Sequence, residues 1–229
     1  MKRLLNTKGN SAMKRIVCYG DSNTWGYNAE TTERFPENVR WPCLLNEYLG
    51  DEFQVIEEGL SGRTSVIEDP LFEGLNGLTF IHPCLLSHSP LELVIIMLGT
   101  NDTKERFNLT AYNIAQGITR LAIKAKNAVS IDSQSSRVLV VAPPPIGKDY
   151  MNTSIGLPMG KDCDCKSEEL SIHLEKLLKV HDIEFLDTKG IVSMNHVDYM
   201  HLDQEGHKQL SEIIYEKVQS ILKGGTRNE

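Results

Sequence analysis

Six consecutive apolar residues, Leu93-Val94-Ile95-Ile96-Met97-Leu98, run straight into Gly99-Thr100-Asn101-Asp102. A strand with one wet face alternates apolar and polar side chains, because successive Cβ atoms point to opposite sides. A run that does not alternate predicts burial on both faces, as in a parallel sheet covered by helices above and below. Mostly apolar stretches at 16–19, 53–56, 137–142 and 183–186 read as further strands. Between them, 41–49, 109–128, 167–181 and 203–222 carry helical spacing, with Ile114, Ile118, Leu121 and Ala125 marking one inner stripe. Asp203 suits the N-cap of the last helix and Glu205 its positive end. Residues 74–88 read as loop and then a helix that Pro83 interrupts. Residues 146–165, rich in Gly, Asp, Asn and Met, read as a long loop or insertion, a place where function often sits. This alternation predicts one α/β domain over 14–223, with a parallel sheet flanked by helices in three layers and right-handed crossovers. Sites in such folds lie at the carboxyl ends of the strands.

A chain of 229 residues with 40% hydrophobic and 24% charged residues suits one globular domain with a substantial core. Met13-Lys14-Arg15 repeats the opening Met1-Lys2-Arg3, so 1–13 read as a disordered leader, and 224–229 as a C-terminal tail. The net charge of −7 disfavours nucleic acid and anionic membrane surfaces as partners. No apolar run reaches the ~18–20 residues of a membrane span, and no apolar core of a signal peptide is present. Five scattered cysteines without such a signal read as reduced thiols of a cytoplasmic protein. Cys18 and Cys84 sit among apolar residues and read as core. Cys163-Asp164-Cys165 offers two metal ligands with no second pair at zinc spacing, so surface thiols are the expectation and no metal is assigned there.

Four short blocks carry the chemistry. Gly20-Asp21-Ser22-Asn23-Thr24-Trp25-Gly26 puts Ser22 at a strand end and at a helix N-terminus, where unpaired N–H groups favour an oxyanion; a plain N-cap serine reads equally well. In Glu58-Gly59-Leu60-Ser61-Gly62-Arg63-Thr64 the glycines allow close backbone approach, and the Gly62 N–H suits a site beside Ser22; alone, the block is an ordinary turn. Gly99-Thr100-Asn101-Asp102 offers the Asn101 amide as a donor. With the N–H groups of Ser22 and Gly62 it would complete a three-donor oxyanion hole, one such donor being typically worth ~3–4 kcal/mol. Asp198-Tyr199-Met200-His201 brings a carboxylate to an imidazole, which fixes its tautomer and stabilises the imidazolium. A metal pair with His196 as third ligand is the other reading of that block. His82, His88, His173 and His181 read as surface or satisfied helix residues, and His207 as a packing or capping one.

In this order, Ser22, Gly62, Asn101 and His201, with Asp198 three residues before the histidine, resemble the four blocks of SGNH/GDSL hydrolases over residues 15–222. Tyr19-Gly-Asp-Ser-Asn-Thr-Trp-Gly26, Arg34-Phe35, Val39-Arg40-Trp41, Val55-Ile-Glu-Glu-Gly-Leu-Ser61 and Leu93-Val-Ile-Ile-Met-Leu-Gly-Thr-Asn-Asp-Thr-Lys104 look like the bacterial arylesterase and acyltransferase branch. The resemblance implies a flavodoxin-like sheet of five parallel strands, no cofactor, and a homo-oligomer. It implies hydrolysis or transfer of short acyl groups from aryl, alkyl or sugar esters. Asn23 departs from the leucine common after the family's serine and is expected to tune the pocket; residues 146–165 also differ from the branch.

The implied mechanism is acyl transfer through a Ser22, His201, Asp198 triad, with Ser22, Gly62 and Asn101 holding the oxyanion. Trp25 and Tyr27 read as pocket walls or as packing under the loop. Arg34, Arg40 and Arg63 read as structural ion pairs. The competing functions are a non-catalytic carbohydrate-binding protein, a metal-dependent phosphoesterase built on Asp21, Asn101, Asp198 and His201, and a thioesterase or lysophospholipase of the same mechanism.

Overall fold

The computed structural model describes residues 13–129 and 137–224. The leader expected over 1–13, Met13 apart, and the tail expected over 224–229, Gly224 apart, lie outside the described residues. The strands are β1 (Lys14–Gly20), β2 (Phe53–Gly59), β3 (Leu93–Met97), β4 (Arg137–Ala142) and β5 (Glu184–Asp187). The helices are α1 (Ser22–Trp25), α2 (Trp41–Leu49), α3 (Gly77–His88), α4 (Ala111–Val129), α5 (Gly156–Met159), α6 (Cys163–Val180) and α7 (Gln204–Gly224). All five strands are parallel, in the order β2-β1-β3-β4-β5.

The unbroken apolar run has the cause expected of it. Val94 and Ile96 face a core shared with Val17, Tyr19 and the inner residues of α3, α4 and α6, such as Ile81, Ile118 and Leu174. Leu93, Ile95 and Met97 face the opposite core, with Ile16, Cys18, Trp41 and Leu45 of α2 and Leu210, Ile214 and Val218 of α7. Fully burying a side chain of this kind is worth about 1.5–3 kcal/mol, and β3 does it on both faces at once. Among the described residues no helix is long and apolar enough to cross a membrane.

The strand order fixes where a site can form. From β1 the chain winds to β2 on one side and then returns to β3 on the other. The carboxyl ends of β1 and β3 therefore diverge at a topological switch point. In register, Gly20 at the end of β1 lies between Gly59 of β2 and Met97 of β3. Both glycines are required by α1 crossing over them: a Cβ on Gly20 would stand 2.0 Å from Thr24 Oγ1, and one on Gly59 2.2 Å from the Trp25 nitrogen.

Three expectations are corrected. Pro83 does not break its helix; α3 runs through it, held by the buried Ile81 and Leu85 on either side. Residues 146–165 are not a long loop. They fold as a 3-10 segment (Lys148–Asn152), α5 and the first turn of α6, around a small core of Ile146, Tyr150, Met159, Cys163 and Met200. The Tyr150 hydroxyl is the pin: it donates to the Gly160 carbonyl (2.6 Å) and accepts from the Cys163 N–H (3.1 Å). Cys163 is thus a buried residue, not a surface thiol, and its sulfur lies against the backbone carbonyls of Thr103, Met159 and Gly160. Cys165 is exposed, and Cys84 is half-buried, packed against the core on one side and beside Glu58 on the other.

His207 packs α7 onto α2. Its Nδ1 accepts the Trp41 N–H (3.3 Å) and its ring meets Phe35 edge-to-face. Burial, helped by the charge of Arg40, pushes its pKa down to about 3. The unfolded chain takes up this proton near pH 6.5, while the folded chain does so only near pH 3. Stability from this residue is therefore full above pH 6.5 and is lost as pH falls towards 3. Between pH 7 and pH 5 the loss is about 2 kcal/mol. Urea unfolding at the two pH values should show this fall in the wild type and a shallower one in His207→Gln; equal falls would contradict the assignment.

Candidate active site

Ser22 reaches the switch point through local chemistry. Asp21 caps α1, its Oδ1 accepting the Asn23 N–H (2.9 Å), and Gly26 ends the single turn in left-handed backbone (φ +89°). The other Asp21 oxygen is buried, and burial pushes the carboxyl pKa up to about 6. Ser22 is buried to 6% exposure at the first position of the turn.

The imidazole arrives on the segment between β5 and α7. Asn195 organises it: Oδ1 accepts the N–H groups of Val197 (2.7 Å) and Asp198 (2.8 Å), and Nδ2 donates to Asp198 Oδ1 (3.0 Å) and the His201 carbonyl (2.7 Å). Tyr199 takes left-handed backbone (φ +59°), which turns His201 back over Asp198. Asp198 Oδ1 accepts the N–H groups of Met200 and His201, while Oδ2 lies 2.6 Å from His201 Nδ1. Burial opposes ionisation of Asp198. The hydrogen bond and charge of His201, with the two backbone N–H groups, outweigh it and hold the carboxyl at about 2. An ionised carboxylate can only accept, so the proton sits on Nδ1 and Nε2 offers its lone pair. That nitrogen lies 3.0 Å from Ser22 Oγ. The Tyr27 ring covers the imidazole, centroids 4.5 Å apart.

Asn23 plays a part that the sequence reading missed. Its Nδ2 donates to the Met200 carbonyl (3.2 Å) and its Oδ1 accepts the Leu202 N–H (2.9 Å), so one buried amide straps the backbone on both sides of His201 to α1. It lies behind the histidine instead of tuning the pocket. Leucine at this position lacks both bonds.

Ser22, His201, Gly62 and Asn101 share one cleft of about 200 Å³, closed by Tyr27, Met200, Lys104 and, from the 146–165 segment, Ile155, Pro158 and Met159. Gly62 stands in left-handed backbone (φ +85°). The Asn101 amide donates one bond to the Arg63 carbonyl (3.2 Å). Beneath it Asp102, whose pKa is raised by burial, is held by the N–H and hydroxyl of Ser65. Lys104 is buried at the cleft edge, 3.8 Å from Asp69 Oδ2; burial and the charge of Arg106 lower its pKa. Trp25 is corrected: it does not line this cleft, and its ring lies under Arg34. Arg34 and Arg40 pair with Glu57, as expected. Arg63 makes no ion pair among the described residues; it donates to the Gly20 and Glu58 carbonyls and stacks on Tyr19.

The metal reading of the fourth block finds no support in the ligand geometry. Asp21 is engaged as a cap, and the His196 ring packs against Tyr199. Among the described residues Asp198, His201 and His196 form no group able to hold an ion.

A serine within hydrogen-bond reach of an imidazole, itself oriented by a carboxylate, is an arrangement that can activate a nucleophile. Comparison with known proteins bears on the family and the fold. The sequence profile of the GDSL-like lipase/acylhydrolase family matches residues 18–209. The structure resembles Est24, a carbohydrate acetylesterase from Sinorhizobium meliloti, at 38% identity and a TM-score of 0.82, covering 91% of this chain and 99% of that one. It also resembles the aryl esterase of M. smegmatis at 38% identity and a TM-score of 0.84, with the same coverage. A lipase/acylhydrolase from Enterococcus faecalis, at 20% identity and a TM-score of 0.67, shares the fold. No curated protein matches the sequence. The chain belongs to the GDSL-like lipase/acylhydrolase family, SGNH hydrolases that cleave carboxylic esters.

Proposed function

We propose that the protein hydrolyses short acyl esters of aryl, alkyl or sugar alcohols through an acyl-enzyme on Ser22. The observation that carries this is the line from Asp198 Oδ2 to His201 Nδ1 (2.6 Å) and from His201 Nε2 to Ser22 Oγ (3.0 Å), ending in the cleft that Gly62 and Asn101 border. His201 takes the Ser22 proton as Oγ attacks the acyl carbon. The Ser22 and Gly62 N–H groups and the second N–H of the Asn101 amide hold the oxyanion. His201 then returns the proton to the departing alcohol. Water, or a second alcohol, is deprotonated by His201 in turn and releases the acid or the transferred ester.

The cleft supports a short acyl group. At about 200 Å³ it falls below the ~300–1,000 Å³ of pockets that enclose larger ligands, and its walls near His201 are apolar. The two 38% identical neighbours, an aryl esterase and a carbohydrate acetylesterase, support the alcohol classes. Five free thiols suit a reducing compartment such as the cytoplasm.

Hydrolysis of p-nitrophenyl acetate tests the assignment. Ser22→Ala should lose turnover while keeping the wild-type circular dichroism, and Asn101→Ala should lower kcat by ~10²–10³. An active Ser22→Ala, or an unchanged Asn101→Ala, would remove those roles.

Asn23 is assigned a positioning role through His201. Asn23→Ala leaves two buried backbone groups unpaired, at about 1–3 kcal/mol each, and loosens the imidazole. The expected result is kcat down by ~10–100-fold with KM nearly unchanged, since small misplacements of reacting groups cost that much. Wild-type kcat in a folded Asn23→Ala would show that His201 is held by Asn195 and Asp198 alone.

A further inference from the structure

A second group of reactive side chains meets outside the Ser22 cleft. Glu58 is the next-to-last residue of β2, and Cys84 and His88 stand four apart on one face of α3. A Glu58 carboxylate oxygen, Cys84 Sγ and a His88 ring nitrogen all lie within 4.8 Å of one another, and His88 Nε2 is 2.7 Å from Glu58 Oε1. All three residues are half-buried: the fold holds them, and solvent reaches them. Glu58 and Cys84 open onto a cavity of about 490 Å³ that shares no lining residue with the Ser22 cleft.

We propose that Glu58, Cys84 and His88 form a zinc site that clamps the end of β2 to α3. One thiolate, one imidazole and one carboxylate are the ligand types zinc prefers, and three protein ligands leave a fourth position for water. Tetrahedral zinc, with ligand distances of about 2.0–2.3 Å, sets its donor atoms roughly 3.3–3.7 Å apart. One pair now stands at 2.7 Å and the others within 4.8 Å, so small side-chain rotations would bring the three donors to that spacing. Glu58 and a Cys84 thiolate together match the charge of one divalent cation. The nearby cation, Arg63, is committed to the Gly20 and Glu58 carbonyls and the Tyr19 ring, not to the carboxylate. Arg15 donates to the His88 carbonyl (3.3 Å) and steadies the end of the helix. The His88–Glu58 pair accounts for two of the three residues, and the Cys84 thiol, hydrogen-bonded to Glu58, brings a third ligand atom to the same place.

The proton balance follows. Binding forms the sulfur–zinc bond and releases the Cys84 S–H proton to solvent. Glu58 lies directly before Gly59-Leu60-Ser61-Gly62, so the ion would stiffen the loop that borders the Ser22 cleft without touching the reacting atoms.

The test uses the full chain, stripped with a chelator and titrated with Co²⁺ and then Zn²⁺. One equivalent of Co²⁺ should give a thiolate-to-metal charge-transfer band and the visible bands of a tetrahedral ion, and Zn²⁺ should displace both. Zn²⁺ should also raise the thermal midpoint. Cys84→Ser, and separately His88→Gln in case the first variant folds poorly, should lose the band and the thermal shift, while Cys165→Ser should keep them. Absence of the band in the wild type, its survival in folded Cys84→Ser, or its loss in Cys165→Ser would overturn the site.

Discussion

The central strands β1 and β3 are buried on both faces, and the rest of the architecture follows from that constraint. Helices must cover the sheet above and below, so each strand is followed by a crossover. Crossovers of one hand, started from β1 in both directions, part the chain at the carboxyl ends of β1 and β3. The gap so formed receives Ser22 from one strand and Asn101 from the other. Gly20 and Gly59 let α1 lie directly on the strand ends, a closer approach than any side chain would permit there. The cleft is thus a consequence of how the core is covered.

Within the cleft the decisive balance is electrostatic. A buried carboxylate such as Asp198 is costly unless its oxygens are filled. Here one oxygen accepts from Asn195 and two backbone N–H groups, and the other faces the His201 ring. Two carboxylates in the same region respond oppositely. Asp21, with one oxygen lacking a partner, is pushed up to about 6, whereas Asp198 is held at about 2. Asp198 has the hydrogen bond and charge of His201 beside two backbone donors, whereas Asp21 sets a single backbone N–H against its burial. Asn195 and Asn23 do for the histidine what the helix caps do elsewhere: they satisfy backbone groups and leave one ring orientation.

How much of this the sequence disclosed depends on the range of the interaction involved. The apolar run 93–98, the glycine-punctuated strand ends and the Asp198-to-His201 spacing are local signals, and each element they predicted is present. The four blocks also came together, Ser22, Gly62, Asn101 and His201 around one cleft. What escaped is tertiary. Asn23 acts on backbone that only the fold brings near, so nothing in its neighbours marks it; Asn195 is the exception, a local turn onto Val197, Asp198 and His201 that the spacing of those residues allowed. The 146–165 segment lacks periodicity because scattered apolar residues and one buried tyrosine hydroxyl hold it, not an apolar stripe along one helix. Pro83 misled because packing on both sides of it outweighs one missing hydrogen bond. Trp25 is next to the cleft in sequence but turns towards Arg34. The meeting of Cys84 and His88 with Glu58 joins a helix to a strand that lies apart from it in sequence, so the apolar neighbours of Cys84 showed only the side that packs on the core.

The central claim is that Ser22 is the atom source of the acyl-enzyme, driven by His201. Treating the protein with diethyl p-nitrophenyl phosphate and mapping the adduct by peptide mass spectrometry tests it most directly. One diethylphosphoryl group on Ser22, with one p-nitrophenol released per chain and no labelling in His201→Ala, is the predicted result. Labelling at Ser61 or Ser65, or undiminished labelling of Ser22 without His201, would contradict it.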